Sequence, residues 1–141
     1  MAKIISINRS REKGCRKYPV IRAFLKYGIE GDAHAGKGEK QISLLTLRSI
    51  EKMRERGYNI QYGELAENIT LDGLDPSEIK IGMKLGIGDA IIEVTKIGKK
   101  CNHDCELFKG NVEDCMMAKE GFFAKVIKEG EIKVGDEIKI L

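Results

Sequence analysis

Ile79-Lys80-Ile81-Gly82-Met83-Lys84-Leu85-Gly86-Ile87 returns, 53 residues later, as Ile132-Lys133-Val134-Gly135-Asp136-Glu137-Ile138-Lys139-Ile140. In each copy an apolar residue precedes a glycine and an alternating strand follows. Glycine takes backbone conformations that other residues resist, so the repeat reads as two equivalent turn-and-strand entrances into one sheet. Further short strand candidates lie at Lys3–Asn8, Pro19–Tyr27, Gln41–Leu45, Asn68–Leu71, Ile91–Ile97 and Phe122–Ile127. Glycine-rich turns separate them, notably around Gly28, Gly31, Gly36 and Gly38. One helix interrupts the pattern. Thr46 suits its N-cap, Leu47, Ile50 and Met53 follow at helical spacing, and Gly57 supplies a stop. Glu51 lies within reach of Arg48 or Arg54, three residues away on either side. Its apolar stripe is narrow, which predicts a helix lying across one opening of a larger β structure. The fold class expected is mainly β: a distorted closed β-barrel with one clear helix and short helical segments.

The chain has 141 residues, which predicts a single domain over 1–141 with a sizeable core. It is 42% hydrophobic and 33% charged, within the soluble globular range. The net charge of +3 arises from 25 basic and 22 acidic residues without a dense basic tract, and aromatics are only 6%. That pattern disfavours nucleic acid and suits a small anionic ligand. No apolar run approaches the roughly 20 residues needed to span a bilayer. The N-terminal Met-Ala-Lys-Ile-Ile-Ser lacks the apolar core of a signal peptide. A cytoplasmic location is therefore expected, and in that compartment the four cysteines are ligands, nucleophiles or core residues rather than disulfides.

Lys96–Cys115 carries three of those cysteines and one of the two histidines, between two strand candidates. Cys101 follows Lys99 and Lys100, whose ammonium groups favour the reactive thiolate. Such a thiol can accept a persulfide, bind a metal, or be incidental to a polar loop. Cys101, His103, Cys105 and Cys115 also compose a ligand set suited to structural zinc, although no Cys-x-x-Cys pair is present. Gly31-Asp32-Ala33-His34 displays an acid and a base on a small-residue turn; its polar groups equally suit bonds to their own backbone. Glu67-Asn68 sets a carboxylate beside an amide at a strand entrance, where turn chemistry explains it as well. Cys15, among Arg11, Lys13, Arg16 and Lys17, lies in a basic loop, where it suits an anion site or plain solvation, and the solvated reading is preferred.

Taken in order, Gly28-Ile-Glu-Gly-Asp-Ala-His-Ala-Gly36, Gln41-Ile-Ser-Leu-Leu45, Glu67-Asn-Ile-Thr-Leu-Asp-Gly-Leu74, the run from Ile87 to Cys101 and Glu120-Gly-Phe-Phe-Ala124 onward resemble the MOSC domain. That family is named for the C-terminal domain of molybdenum cofactor sulfurases. The resemblance covers roughly Ser6 to Leu141 and implies a small stand-alone member with a distorted barrel. It assigns the reactive cysteine to Cys101, the Gly-Asp-x-His motif to Gly31, Asp32 and His34, and the Glu-Asn pair to Glu67 and Asn68. On this basis Cys101, His34 and Asp32 are the catalytic candidates; Gly31, Glu67, Asn68, Lys99 and Lys100 would bind cofactor.

The implied function is a sulfur carrier or molybdenum-cofactor-binding protein, with a sulfurtransferase-type activity that depends on a partner. A cysteine desulfurase holding pyridoxal phosphate would donate a persulfide to Cys101, and a molybdoenzyme or cofactor-biosynthesis protein would receive it. Two other functions stay open. One is molybdenum-cofactor-dependent reduction of N-hydroxylated substrates; the other is a non-catalytic metal module built on the Cys101–Cys115 loop. Many members carry Arg three residues before the cysteine and Pro just before it, where this chain has Gly98 and Lys100. Lysine offers an anion a point charge rather than a bidentate fork.

Overall fold

The computed structural model describes residues 1–12, 16–33, 35–36, 38–99 and 112–141, with backbone only at 112. Cys15, His34, Lys100, Cys101, His103 and Cys105 lie outside the described residues.

The two copies of the glycine repeat are structurally equivalent down to individual hydrogen bonds. Gly82 and Gly135 have φ of 89° and 94°, in the left-handed region that glycine enters without penalty. Gly82 donates its N–H to Val94, and Val94 returns one to Met83. Gly135 likewise donates to Ile4, and Ile4 returns one to Asp136. The strands that follow, β6 (Lys84–Ile87) and β10 (Glu137–Ile140), pair antiparallel with each other, Ile138 opposite Ile87. The repeat therefore builds one side of a barrel.

Around that pair the sheet closes. β1 (Ala2–Arg9) pairs with β10 through Ala2 and Lys3. The circuit then runs through β5 (Ile69–Asp72), β4 (Ile42–Thr46), β8 (Phe122–Lys128) and β7 (Ala90–Ile97) back to β6. Seven strands make the ring, which leaves no open edge within it. All its pairings are antiparallel except β4 with β5, which are parallel. Helix α1 (Leu47–Glu55) lies in the crossover that a parallel pair requires. The segment 19–27 is not one strand. It bends at the exposed Ile21 into β2 (Tyr18–Val20), paired with β1, and β3 (Arg22–Leu25), paired with β9 (Gly130–Lys133).

Period-two alternation sorts side chains onto two faces. Ile42 and Leu44 of β4, with Phe122 and Ala124 of β8, join Ile4, Leu85 and Ile92 in the main core. Leu45 and Phe123 point the other way, into a second cluster with Ile50, Met53, Met116 and Met117. Helix α1 accordingly packs with α2 (Met116–Lys119) on the outer wall of β4 and β8, not across an opening as its narrow stripe had suggested. Thr46 caps α1 by accepting the Ser49 N–H at 3.1 Å. Arg48 pairs two turns along, with Glu55 at 2.9 Å, rather than with Glu51. No described helix is long and apolar enough to cross a membrane.

Candidate functional site

The cysteine loop leaves the barrel at the end of β7 and returns through α2, and main-chain bonds fasten both ends. Gly98 donates to Gly121 at 2.6 Å and Lys99 to Ala118 at 2.9 Å. The returning leg is also clamped to α1. Tyr58 donates its hydroxyl to Asp114 Oδ2 at 2.8 Å, and Arg56 reaches Oδ1. These partners, Tyr58 first, hold the Asp114 carboxyl below its ordinary range. Glu120 takes Lys52 Nζ at 2.6 Å and the Ser49 hydroxyl at 2.9 Å.

Beside this base lies a cavity of about 40 Å³, lined by Lys40, Ser43, Leu65, Ala66, Lys99, Met117 and Phe123. That is room for one or two waters. Lys40 is exposed and Lys99 half-buried, so the two form its solvent-facing rim. Lys40 Nζ stands 5.4 Å from the Phe123 ring centroid. The neighbouring Lys96 ammonium first, then desolvation and the charge of Lys99, hold the Lys40 ammonium below the ordinary lysine value. Three lysines therefore converge where the cysteine loop departs.

Behind Ser43, Leu65 and Ala66 of the cavity wall stand Glu67 and Asn68, both fully buried. Asn68 Oδ1 accepts the Ser43 N–H at 3.0 Å and its hydroxyl at 3.1 Å, and Asn68 Nδ2 donates to the Asn8 carbonyl. Asn8 in turn donates to the Glu67 carbonyl at 3.1 Å and accepts the Ser6 hydroxyl at 2.7 Å. This network pins β1, β4 and β5 together just below the cavity and fixes Ala66 at φ 65°, a strained value for a residue with a side chain. Glu67 and Asn68 thus shape the wall from behind.

Glu67 accepts the Leu65 N–H and the Thr70 hydroxyl, yet burial outweighs these bonds and pushes its pKa up from 4.5. Folding therefore favours the protonated form. That contribution is complete below pH 4.5 and is lost as pH rises through the raised folded value. Glu67→Gln does not titrate, so the variant gains stability relative to wild type as pH rises through that window. Chemical denaturation at pH 4, 6 and 8 measures this; a stability difference independent of pH contradicts it.

Asp32 turns inward. Its Oδ1 takes Lys17 Nζ at 2.6 Å, with both side chains wholly buried, and the Ser10 N–H at 3.0 Å. Lys17 is therefore buried and joins its basic loop to the Gly31–Asp32 turn. Its N–H also reaches the Gly63 carbonyl at 2.9 Å. Gly31 has φ 86° and faces the Arg9 guanidinium. Cys115 is buried among the apolar residues of the second cluster. No group of three or more His, Cys, Asp or Glu stands among the described residues where it would hold a metal ion.

The structure thus sets Lys99 at a cavity whose Ser43 and Ala66 are held from behind by the Glu67–Asn68 network, and places Asp32 in a separate buried ion pair. Sequence reasoning missed Lys40, Lys96, Ser43 and Asn8 as parts of this site. Asn8 carried a signal, since asparagine is a poor strand former yet sits within a strand.

The MOSC domain model matches residues 31–139. No curated protein matches the chain in sequence. Among solved structures, the YuaD protein of Bacillus subtilis superposes with a TM-score of 0.82 at 18% identity, covering 99% of this chain and 96% of that one. YiiM of Geobacillus stearothermophilus gives 0.79 at 24% identity, covering 100% and 75%. YiiM of Escherichia coli gives 0.75 at 19% identity, covering 100% and 70%. At these identities the likeness concerns the fold.

Proposed function

Because this chain belongs to the MOSC domain family, we propose that it is a sulfur carrier that accepts a persulfide on Cys101 and passes the sulfur to a molybdenum centre. The supporting observation is the lysine rim. Lys99, two residues before Cys101 in the chain, is held by Ala118 and stands with Lys40 and Lys96. Converging positive charge lowers a neighbouring thiol's pKa and so raises its thiolate fraction. The Cys101 thiolate attacks the outer sulfur of a desulfurase persulfide. A new S–S bond forms on Cys101 as the donor's S–S bond breaks, and the donor cysteine leaves as its thiolate. No net oxidation occurs in this exchange. Delivery of the sulfur to molybdenum as sulfide takes two electrons from an external thiol, which attacks the inner sulfur and is left in a disulfide with Cys101 as the outer sulfur departs. Pyridoxal phosphate stays on the partner.

Glu67 and Asn68 act by positioning, through the network that holds Ser43 and Ala66 at the cavity. Asp32 fixes the turn that bears His34, whose imidazole would move protons. The cavity beside the lysines is too small for a molybdenum cofactor, and His34, Lys100 and Cys101, which the family resemblance would set around one, lie outside the described residues. The cavity is only about 40 Å³, and no metal-ligating cluster stands among the described residues. Molybdenum therefore enters this reading as the acceptor of sulfur, and no step runs through a bound cofactor.

The charge argument has a direct test. In the double variant Lys99→Ala with Lys100→Ala, the midpoint of the pH profile for alkylation at Cys101 rises by roughly one unit. Peptide mass spectrometry at that residue measures it. An unchanged profile contradicts the reading.

A further inference from the structure

We propose that the recess of about 240 Å³ at the tip of the hairpin after β3 binds a small zwitterion, a free amino acid with an apolar body. The site needs no thiol and shares no lining residue with the cavity beside the cysteine loop.

After β3 the chain turns back on itself. Leu25 bridges to Ile29, Lys26 donates its N–H to the Gly28 carbonyl at 2.9 Å, and Glu30 donates to the Phe24 carbonyl at 3.0 Å. Gly28 has φ 115°, and a Cβ there would meet the Gln41 carbonyl oxygen at 2.4 Å. Only glycine lets the hairpin seat so closely against the residue before β4. Ala35 and Gly36 line the recess from a second segment, which the Gly36 N–H ties to the Tyr27 carbonyl at 2.6 Å. Leu25 also pairs with Gly130, just past the Lys128 that stands opposite Ile91 at the start of β7. The cysteine loop leaves beyond the other end of that strand.

Alternation decides which side chains face the recess. Ala23, Leu25 and Ile29 are buried, which turns Lys26 and Glu30 to the outer face together. Opposite charges on one face of a hairpin ordinarily pair. Here they stay apart. Among the described residues neither the Lys26 ammonium nor the Glu30 carboxylate has an ion-pair partner, yet both line the recess. Arg9 reaches the Glu30 main-chain carbonyl at 3.3 Å rather than its carboxylate. The remaining lining is Tyr27, Gly28, Ala35 and Gly36, so whatever lies between the two charges meets an aromatic ring and small residues.

Charge and size define the ligand class. One cation and one anion, held apart across the recess, complement a molecule that carries a carboxylate and an ammonium. The volume lies below the roughly 300 Å³ at which drug-sized sites begin, which suits a molecule of amino-acid size. Both charges are solvent-exposed, so each contact is modest and the expected affinity is roughly millimolar.

The test follows amide NMR shifts of isotope-labelled protein titrated with leucine, with N-acetyl-leucine, which lacks the ammonium, and with leucinamide, which lacks the carboxylate. Leucine is expected to bind saturably, to shift amides at residues 26–30 and 35–36, and to bind roughly threefold to tenfold tighter than either derivative. Lys26→Gln weakens leucine by that factor and leaves leucinamide unchanged. Glu30→Gln weakens leucine equally and leaves N-acetyl-leucine unchanged. Lys84→Gln, at an exposed position on β6, alters none of these affinities. Leucine binding tighter than 6-aminohexanoate assigns an α-amino acid; the reverse order assigns one whose charges stand further apart. Equal binding of leucine and its two derivatives, shifts confined to other residues, or no saturable binding to folded wild type overturns the proposal. Thermal unfolding confirms that each variant is folded.

Discussion

Asp32→Ala destabilises the protein by about 3–5 kcal/mol, because it removes the carboxylate that faces the buried Lys17 ammonium. For a domain of this size that is a large part of the total and lowers the melting temperature by roughly 10–20 °C. The pair joins three segments: the loop before Tyr18, the Gly31–Asp32 turn and, through the Lys17 N–H, the carbonyl of Gly63. Losing it loosens the turn that carries the Gly-Asp-x-His motif. Replacing both charges, as Lys17→Met with Asp32→Leu, is less damaging than Asp32→Ala alone, since neither charge of the pair then stays buried. Urea denaturation of the three variants measures this. A loss under about 1 kcal/mol for Asp32→Ala would mean that the ion pair is incidental.

The same residue shows where reading from sequence stops. Gly31-Asp32-Ala33-His34 was visible as a motif, and its small residues announced a turn. Its Asp32 was read as a surface acid, and the direction of its side chain depends on a partner fifteen residues upstream. Lys17 gave no sign of burial, because lysines default to solvent and only an exceptional environment holds one inside. The glycine repeat succeeded for the opposite reason. Apolar-Gly followed by alternation encodes a local conformation and a face, and both copies adopt it with matching hydrogen bonds. Strand existence was legible wherever β-branched residues alternated. Strand order was not, since closure of β1 on β10 and the parallel pairing of β4 with β5 are settled by packing across the chain.

The site divides along the same line. Glu67 and Asn68 were found through the resemblance to a family, but the reason they stand behind a cavity wall is the Asn8–Ser43 network, built from strands far apart in sequence. Lys99 was noticed beside Cys101. Lys40, which completes the rim from 59 residues away in the chain, was not. Convergence of charges across a barrel is a tertiary fact. Helix α1 failed in a similar way: its amphipathic stripe fixed that it would pack on something, without saying whether that was a barrel mouth or a barrel wall.

The proposed function turns on Cys101 as the carrier of sulfur. The lysine rim favours the thiolate that such a carrier needs, and the clamps at Asp114 and Glu120 tether the returning end of its loop to α1. Removing that one sulfur atom should therefore abolish transfer completely rather than slow it. The measurement is anaerobic intact-mass spectrometry after incubation with a cysteine desulfurase and free cysteine, wild type beside Cys101→Ser, each with and without reductant. A reductant-labile gain of one sulfur, about 32 Da, is expected in wild type and none in Cys101→Ser. An adduct that persists in Cys101→Ser, or none in the wild-type protein, contradicts the carrier role.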